Sequence, residues 1–201
     1  MESVIWIAVL AVFLAYLAAD FLSGFVHFLG DSFGDENTPL VGKEFIFPFR
    51  EHHTDQKAIT RHDFFETNGH NCLVSIPVLL AEYLLFPSQS ISWFAFSVAL
   101  FSFSLVFFVF CTNQFHKWAH EDLPNATARF LQWTGLILRP AHHKKHHTSP
   151  YETYFCITTG WLNACLEKIH FFPFAKWALA KIPGMPRVYE PRKNTTSPIL
   201  P

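Results

Sequence analysis

Residues 4–30, VIWIAVLAVFLAYLAADFLSGFVHFLG, contain one acidic residue, Asp20, and one histidine, His27. About 20 apolar residues suffice to cross a bilayer, so this run reads as a membrane span. It does not read as a secretory signal, because the preceding MES has no positive charge and the apolar run is too long. Residues 90–115 form a second such run. Between the two, residues 71–86 are short for a span and hold Pro77 and Glu82. The tight-turn sequence PSQS at 87–90 joins them to the long run, so the pair reads as a transmembrane hairpin. The expectation is an all-α membrane protein with three spans, at about 4–30, 71–86 and 90–115. Its charged fraction, 15%, agrees with this, since soluble domains carry roughly 25%.

Charge places the loops. All fifteen Lys and Arg residues lie in the 31–70 loop (Lys43, Arg50, Lys57, Arg61) or after residue 115. The positive-inside rule puts both regions on the cytoplasmic side. Eleven histidines fall in those same regions, and His27 lies at the cytoplasmic end of the first span. A three-span path therefore brings every histidine to one face of the membrane. Residues 125–140 and 155–182 mix apolar, aromatic and basic residues and read as interfacial helices. The chain is then one membrane-embedded domain over 1–201, with a cytoplasmic histidine-rich cap at 31–70 and 116–185 and a flexible tail at 186–201. The formal charge of -1 gives no pull toward nucleic acid. Four cysteines without a CxxC pair are expected to be reduced thiols.

The histidines form clusters. His27 and Asp31 are four apart, as are His116 and His120; His52 and His53 are adjacent; His143, His146 and His147 form HxxHH within AHHKKHH. Spacings of three and four place side chains on one face of a helix, and imidazole suits Fe, Zn and Cu. A solvated basic stretch would explain HHKKHH alone, but not the other pairs on the same side. Eight or more histidines exceed the four ligands of a structural zinc and fit two ions with about four ligands each. His142 offers an alternative register with His146 and His147. Asp20, Ser23, Gly24, His27 and Asp31 share one helical stripe. A carboxylate is expensive in hydrocarbon, so Asp20 should face the interior, either orienting a ligand histidine or serving helix packing. His62 stays open between a structural and a ligand-supporting role; His70 reads as a loop residue and His170 as an ordinary surface residue.

The blocks DFLSGFVHFLGDSFGD, FREHHTDQKAITRHDFFETNG, TNQFHKWAH and HHKKHHTSPYETYFCITTGWLN occur in this order. They resemble the membrane fatty-acid desaturase and hydroxylase superfamily and, more narrowly, the plasmanylethanolamine desaturase (Kua, or carotenogenesis-regulator) lipid desaturases. The resemblance implies an O2-dependent di-iron oxidoreductase that forms the vinyl ether double bond of plasmalogens from plasmanyl phospholipids. It carries the ligand set over to His27, Asp31, His52, His53, His116, His120, His143, His146 and His147. It implies a phospholipid substrate and a separate cytochrome b5-like or ferredoxin-like electron donor. It also implies a bacterial inner membrane with the site facing the cytoplasm, or the endoplasmic reticulum in a eukaryote. Alternatives are desaturation or hydroxylation of an acyl chain on another phospholipid, metal transport, and haem binding. Transport is disfavoured because only Asp20, His27 and Glu82 lie at membrane depth.

Overall fold

The computed structural model describes residues 2–85 and 92–189; the turn expected at 87–90 and the tail from 190 onward lie outside them. The described residues form α1 (Glu2–Ser32), a π-helical turn (Gly42–Ile46), α2 (Phe47–Thr54), α3 (Ala58–Arg61), α4 (Phe64–Leu85), α5 (Trp93–His120), α6 (Ala126–Thr134), α7 (Pro140–His146), α8 (Asn163–Lys168) and α9 (Phe171–Leu179). No β-strand occurs among them, apart from a single bridge between Phe33 and Val188.

Two helices, Val4–Ser32 and Trp93–His120, are long and apolar enough to cross a membrane. Their outer faces carry Trp6, Val9, Phe94, Phe103 and Phe107 exposed, as side chains facing lipid should be. The two helices run parallel: Tyr16 packs on Phe108 with ring centroids 4.2 Å apart, and His27 lies 5.7 Å from His116. α4 runs antiparallel to α5, as expected of a hairpin. It begins at Phe64 rather than 71, and α5 continues to His120 rather than 115. The reason is a set of polar bonds between the two helices. Asn71 donates to the Val109 carbonyl at 2.9 Å, Asn113 donates to the Thr67 carbonyl at 3.0 Å, and Asn68 donates to Gln114 at 3.3 Å. Thr67 and Asn68 fall outside the expected span because their partners lie on another helix.

The expected stripe on α1 faces inward. Asp20 is fully buried and accepts from the backbone N–H groups of Thr159, Gly160 and Leu162, at 2.7, 2.8 and 3.2 Å. Its role is therefore to anchor the 159–162 loop, and no histidine is among its bonded partners. A Cβ at Gly24 would lie 2.9 Å from the Cα of Cys156, so only glycine lets this segment approach α1. Ser23, Thr112 and Thr158 continue the seam, with Thr112 and Thr158 hydroxyls 2.8 Å apart and Thr158 donating to Ser23 at 3.1 Å. Asp20→Ala leaves three buried donors without an acceptor, each worth about 1–3 kcal/mol. The expected result is a large fall in apparent Tm in detergent, with a smaller fall for Asp20→Asn, which keeps one oxygen acceptor.

The cap closes over the histidine-bearing ends of α1 and α5. α6 is amphipathic, with Ala128 and Gln132 buried and Phe130 and Trp133 exposed. Asn125 caps its first turn and Gly135, at φ 76°, ends it in the left-handed region. α9 likewise exposes Phe174 and Trp177 while Phe172 and Ala175 are buried. The segment expected to be a flexible tail is docked at its start. Arg187 accepts from Gly34, Tyr189 donates to the Ser32 carbonyl, and the Arg50 guanidinium lies 3.7 Å from the Tyr189 ring. The four cysteines are free thiols.

Candidate metal centre

Four elements deliver the histidines to one point. His27 and Asp31 come from the last turns of α1, His52 and His53 from α2, His116 and His120 from the end of α5, and His143 and His146 from α7, with His147 capping it. All nine residues singled out from sequence are brought together. They sort into two sets that share one member. His52, His116, His120, His143 and His147 have ligand-type atoms within 4.8 Å of one another, and so do His27, His52, His53 and His146. Asp31 joins the second set, its Oδ2 lying 3.3 Å from His27 Nε2 and 3.4 Å from Nε2 of both His53 and His146.

The spacing is that of ligands around an ion. In the first set, Nε2 of His143 lies 2.9 Å from His116, 2.9 Å from His120 and 3.0 Å from His147, while His116 and His120 are 3.1 Å apart. In the second, Nε2 of His53 and His146 are 3.0 Å apart. Metal–ligand bonds of about 2.1 Å put neighbouring ligands about 3.0 Å apart in an octahedron and about 3.4 Å apart in a tetrahedron. Hydrogen bonding alone does not account for the contacts. Each Nε2 has one in-plane proton or one lone pair, so it cannot serve every edge of the His116–His120–His143 triangle. Nε2 of His27, Nε2 of His52 and both Asp31 oxygens are buried without a hydrogen-bond partner. Buried polar atoms of this kind require a partner, and a cation in each set would supply it. The residues therefore fit a pair of metal ions.

The outward nitrogens fix the inward ones. His146 Nδ1 lies 2.9 Å from the Thr153 carbonyl and His27 Nδ1 3.2 Å from that of Phe155. A carbonyl only accepts, so each Nδ1 carries the proton and each Nε2 presents a lone pair to the centre. Both carbonyls belong to the segment that Asp20 and Asn163 hold in place, Asn163 accepting from Cys156 N–H at 2.8 Å. Tyr151 stacks on His53 with centroids 4.7 Å apart. Neither Asn163 nor Tyr151 carried a signal in the sequence.

Burial, reinforced by neighbouring imidazoles, holds His52 and His143 well below the usual histidine range and pushes His146 down to about 3. The rings are neutral at pH 7, as metal ligands must be. The sign of the pH effect follows. The unfolded chain takes up protons near 6.5, the folded chain only at the lower values. Stability of the metal-free protein is thus full above about pH 6.5 and falls as pH drops from there toward about 3. Thermal unfolding of chelator-treated protein from pH 8 to pH 5 checks this, with a monotonic loss of Tm expected below about 6.5.

The other histidines are separated from the two sets. His142 turns away, its ring 5.0 Å from Tyr154 and beside Gly160, so the alternative register is not used. His62 and His70 line a cavity of about 210 Å³ that reaches His52 and His116. His70 is in α4 rather than in a loop. His170 is exposed at the start of α9.

The lipid desaturase domain family matches residues 16–192. A plasmanylethanolamine desaturase of Myxococcus xanthus is 52% identical over 182 residues, covering 89% of this chain and 64% of that protein. Plasmanylethanolamine desaturase 1 of Mus musculus is 49% identical over 170 residues, covering 83% and 62%. The chloroplastic fatty acid desaturase 4 of Arabidopsis thaliana is 34% identical over 169 residues, covering 81% and 49%. The chain spans less than two thirds of the length of each of these relatives. No solved structure matches.

Proposed function

The chain belongs to the lipid desaturase domain family, and from that premise we propose that it is a plasmanylethanolamine desaturase-like oxidoreductase of ether phospholipids. The reaction removes one hydrogen from each of the first two carbons of the alkyl ether chain. O2 takes these two hydrogens with two electrons and two further protons, giving the vinyl ether and two waters. The observation that carries the reading is the division of nine clustered donors, six of them buried, into two sets that meet at His52, together with relatives named for this activity.

Two iron ions, one in each set, supply the activation of O2 that lets hydrogen be taken from an unactivated methylene. His116, His120, His143 and His147 would hold one; His27, His53, His146 and Asp31 would hold the other; His52 lies within reach of both sets. The Thr153 and Phe155 carbonyls keep two of the rings in the ligating tautomer. Burial of His27, His143 and His146 excludes water from the inner side. A separate cytochrome b5-like or ferredoxin-like protein delivers the electrons. The protein is an integral membrane protein. The positive-inside rule supports a site on the cytoplasmic side, of the inner membrane in a bacterium or of the endoplasmic reticulum in a eukaryote.

The test is conversion of 1-O-alkyl-2-acyl phosphatidylethanolamine by the purified full chain in lipid vesicles, with O2 and a reducing donor. The expected product releases a long-chain aldehyde on mild acid treatment, the mark of a vinyl ether. A new double bond within the acyl chain, and no aldehyde, would instead support the chemistry of the chloroplastic relative.

A further inference from the structure

A cavity of about 180 Å³ opens on the second donor set, lined by Asp31, His53, Arg50, Tyr151, Lys176 and Tyr189. It adjoins an apolar cavity of about 320 Å³ between α1 and α9, lined by Phe28, Phe155, Phe172, Trp177 and Val188; Ser32, Glu152 and Lys176 border both. We propose that these two cavities form the phospholipid site, with the phosphate held by Arg50 and Lys176 beside the metal centre and a lipid chain lying in the apolar arm. This rests on the ether-lipid reading above.

The chemistry of that substrate sets the distance. The first alkyl carbon is separated from phosphorus by about six bonds of roughly 1.5 Å, which span about 7 Å in a zigzag chain. A phosphate-binding group must therefore stand about one headgroup length from the metals. The smaller cavity has Arg50 and Lys176 in the same lining as Asp31 and His53 of the second donor set. It thus carries two cations, Arg50 and Lys176, beside the carboxylates of Asp31 and Glu152. Arg50 donates to the Phe33 carbonyl through Nη2 at 2.9 Å, while its Nε is buried without a partner. Lys176 reaches Glu152 at 2.8 Å with its side chain partly exposed. A phosphate oxygen gives the unused guanidinium N–H an acceptor, and guanidinium–phosphate bonds are among the stronger ones. The cavity on the other side of the centre, at His52 and His116, is lined by Glu44, Glu51 and Glu66 with no Lys or Arg. That cavity offers no cation to hold a phosphate. The exposed Phe174 and Trp177 of α9 put the mouth of the apolar arm where lipid is available.

Binding tests this without turnover. The purified full chain in detergent is titrated with alkyl-acyl phosphatidylethanolamine and with the phosphate-free alkyl-acyl glycerol, and affinity is read by thermophoresis. A charge-assisted bond is worth about 1.5–3 kcal/mol, so the phospholipid should bind at least about tenfold tighter. Lys176→Ala and Arg50→Ala should each shrink that preference while leaving alkyl-acyl glycerol binding unchanged. Lys176→Arg should restore it, which separates lost charge from a folding defect. Ala180→Trp, at the apolar arm, should weaken both lipids. Equal affinity for both lipids overturns the site and leaves the desaturase reading intact. Phosphate-dependent binding without any desaturation of ether lipid leaves the site and overturns that reading.

Discussion

His143→Ala is expected to reduce ether-lipid desaturation by more than about a hundredfold in protein that still folds and inserts. Removing groups that only support a metal ligand costs about 10–100-fold, and His143 is central to its set. Its Nε2 is within 2.9–3.0 Å of three other imidazoles, and the ring is buried. Without it, His116, His120 and His147 lose the fourth corner of their cage. Because a buried histidine can also matter for folding, His147→Ala is the companion variant. That ring is only partly buried, so its removal should leave the folded protein intact and produce the same loss of turnover. Helical circular dichroism and elution volume report folding; vinyl ether production reports function. Wild-type turnover in either variant would remove that residue from the ligand set.

The second large effect is predicted at His52. Its Nε2 is buried and unpartnered, and it belongs to both donor sets. His53→Ala or His147→Ala should empty one set and leave about one ion per chain. His52→Ala should lower occupancy of both, to below one ion per chain, with activity lost. Metal analysis of the three variants separates a shared position from an ordinary one. If His52→Ala retains as much metal as His53→Ala, His52 serves a single ion.

Much of this centre was legible in the sequence because helical spacing is a local property. The pairs His27–Asp31 and His116–His120 lie on one helix face whatever surrounds them, and the apolar runs fix where those helices end. That four helices should bring these faces together followed from the distribution of histidines and basic residues about the spans. The register of AHHKKHH did not follow, because His142 and His143 each make a sound spacing with His146 and His147. Pro140 at the start of α7 and the bond from Leu138 N–H to the Thr158 carbonyl, 2.9 Å, settle the rotation. The role of Asp20 was equally hidden. Its partners lie 139 to 142 residues away, in a loop with no periodicity to announce it. The start of α4 was misplaced for the same reason: Thr67 and Asn68 look like loop residues until their partners on α5 are present. Both cavities beside the centre arise from contacts between elements distant in sequence.

The most direct test of the whole account is an anomalous difference map collected at the iron absorption edge from crystals of the full chain prepared with iron. Two peaks are predicted, one enclosed by His116, His120, His143 and His147 and the other by His27, His53, His146 and Asp31, with His52 between them. A single peak, or iron bound away from these rings, would contradict it.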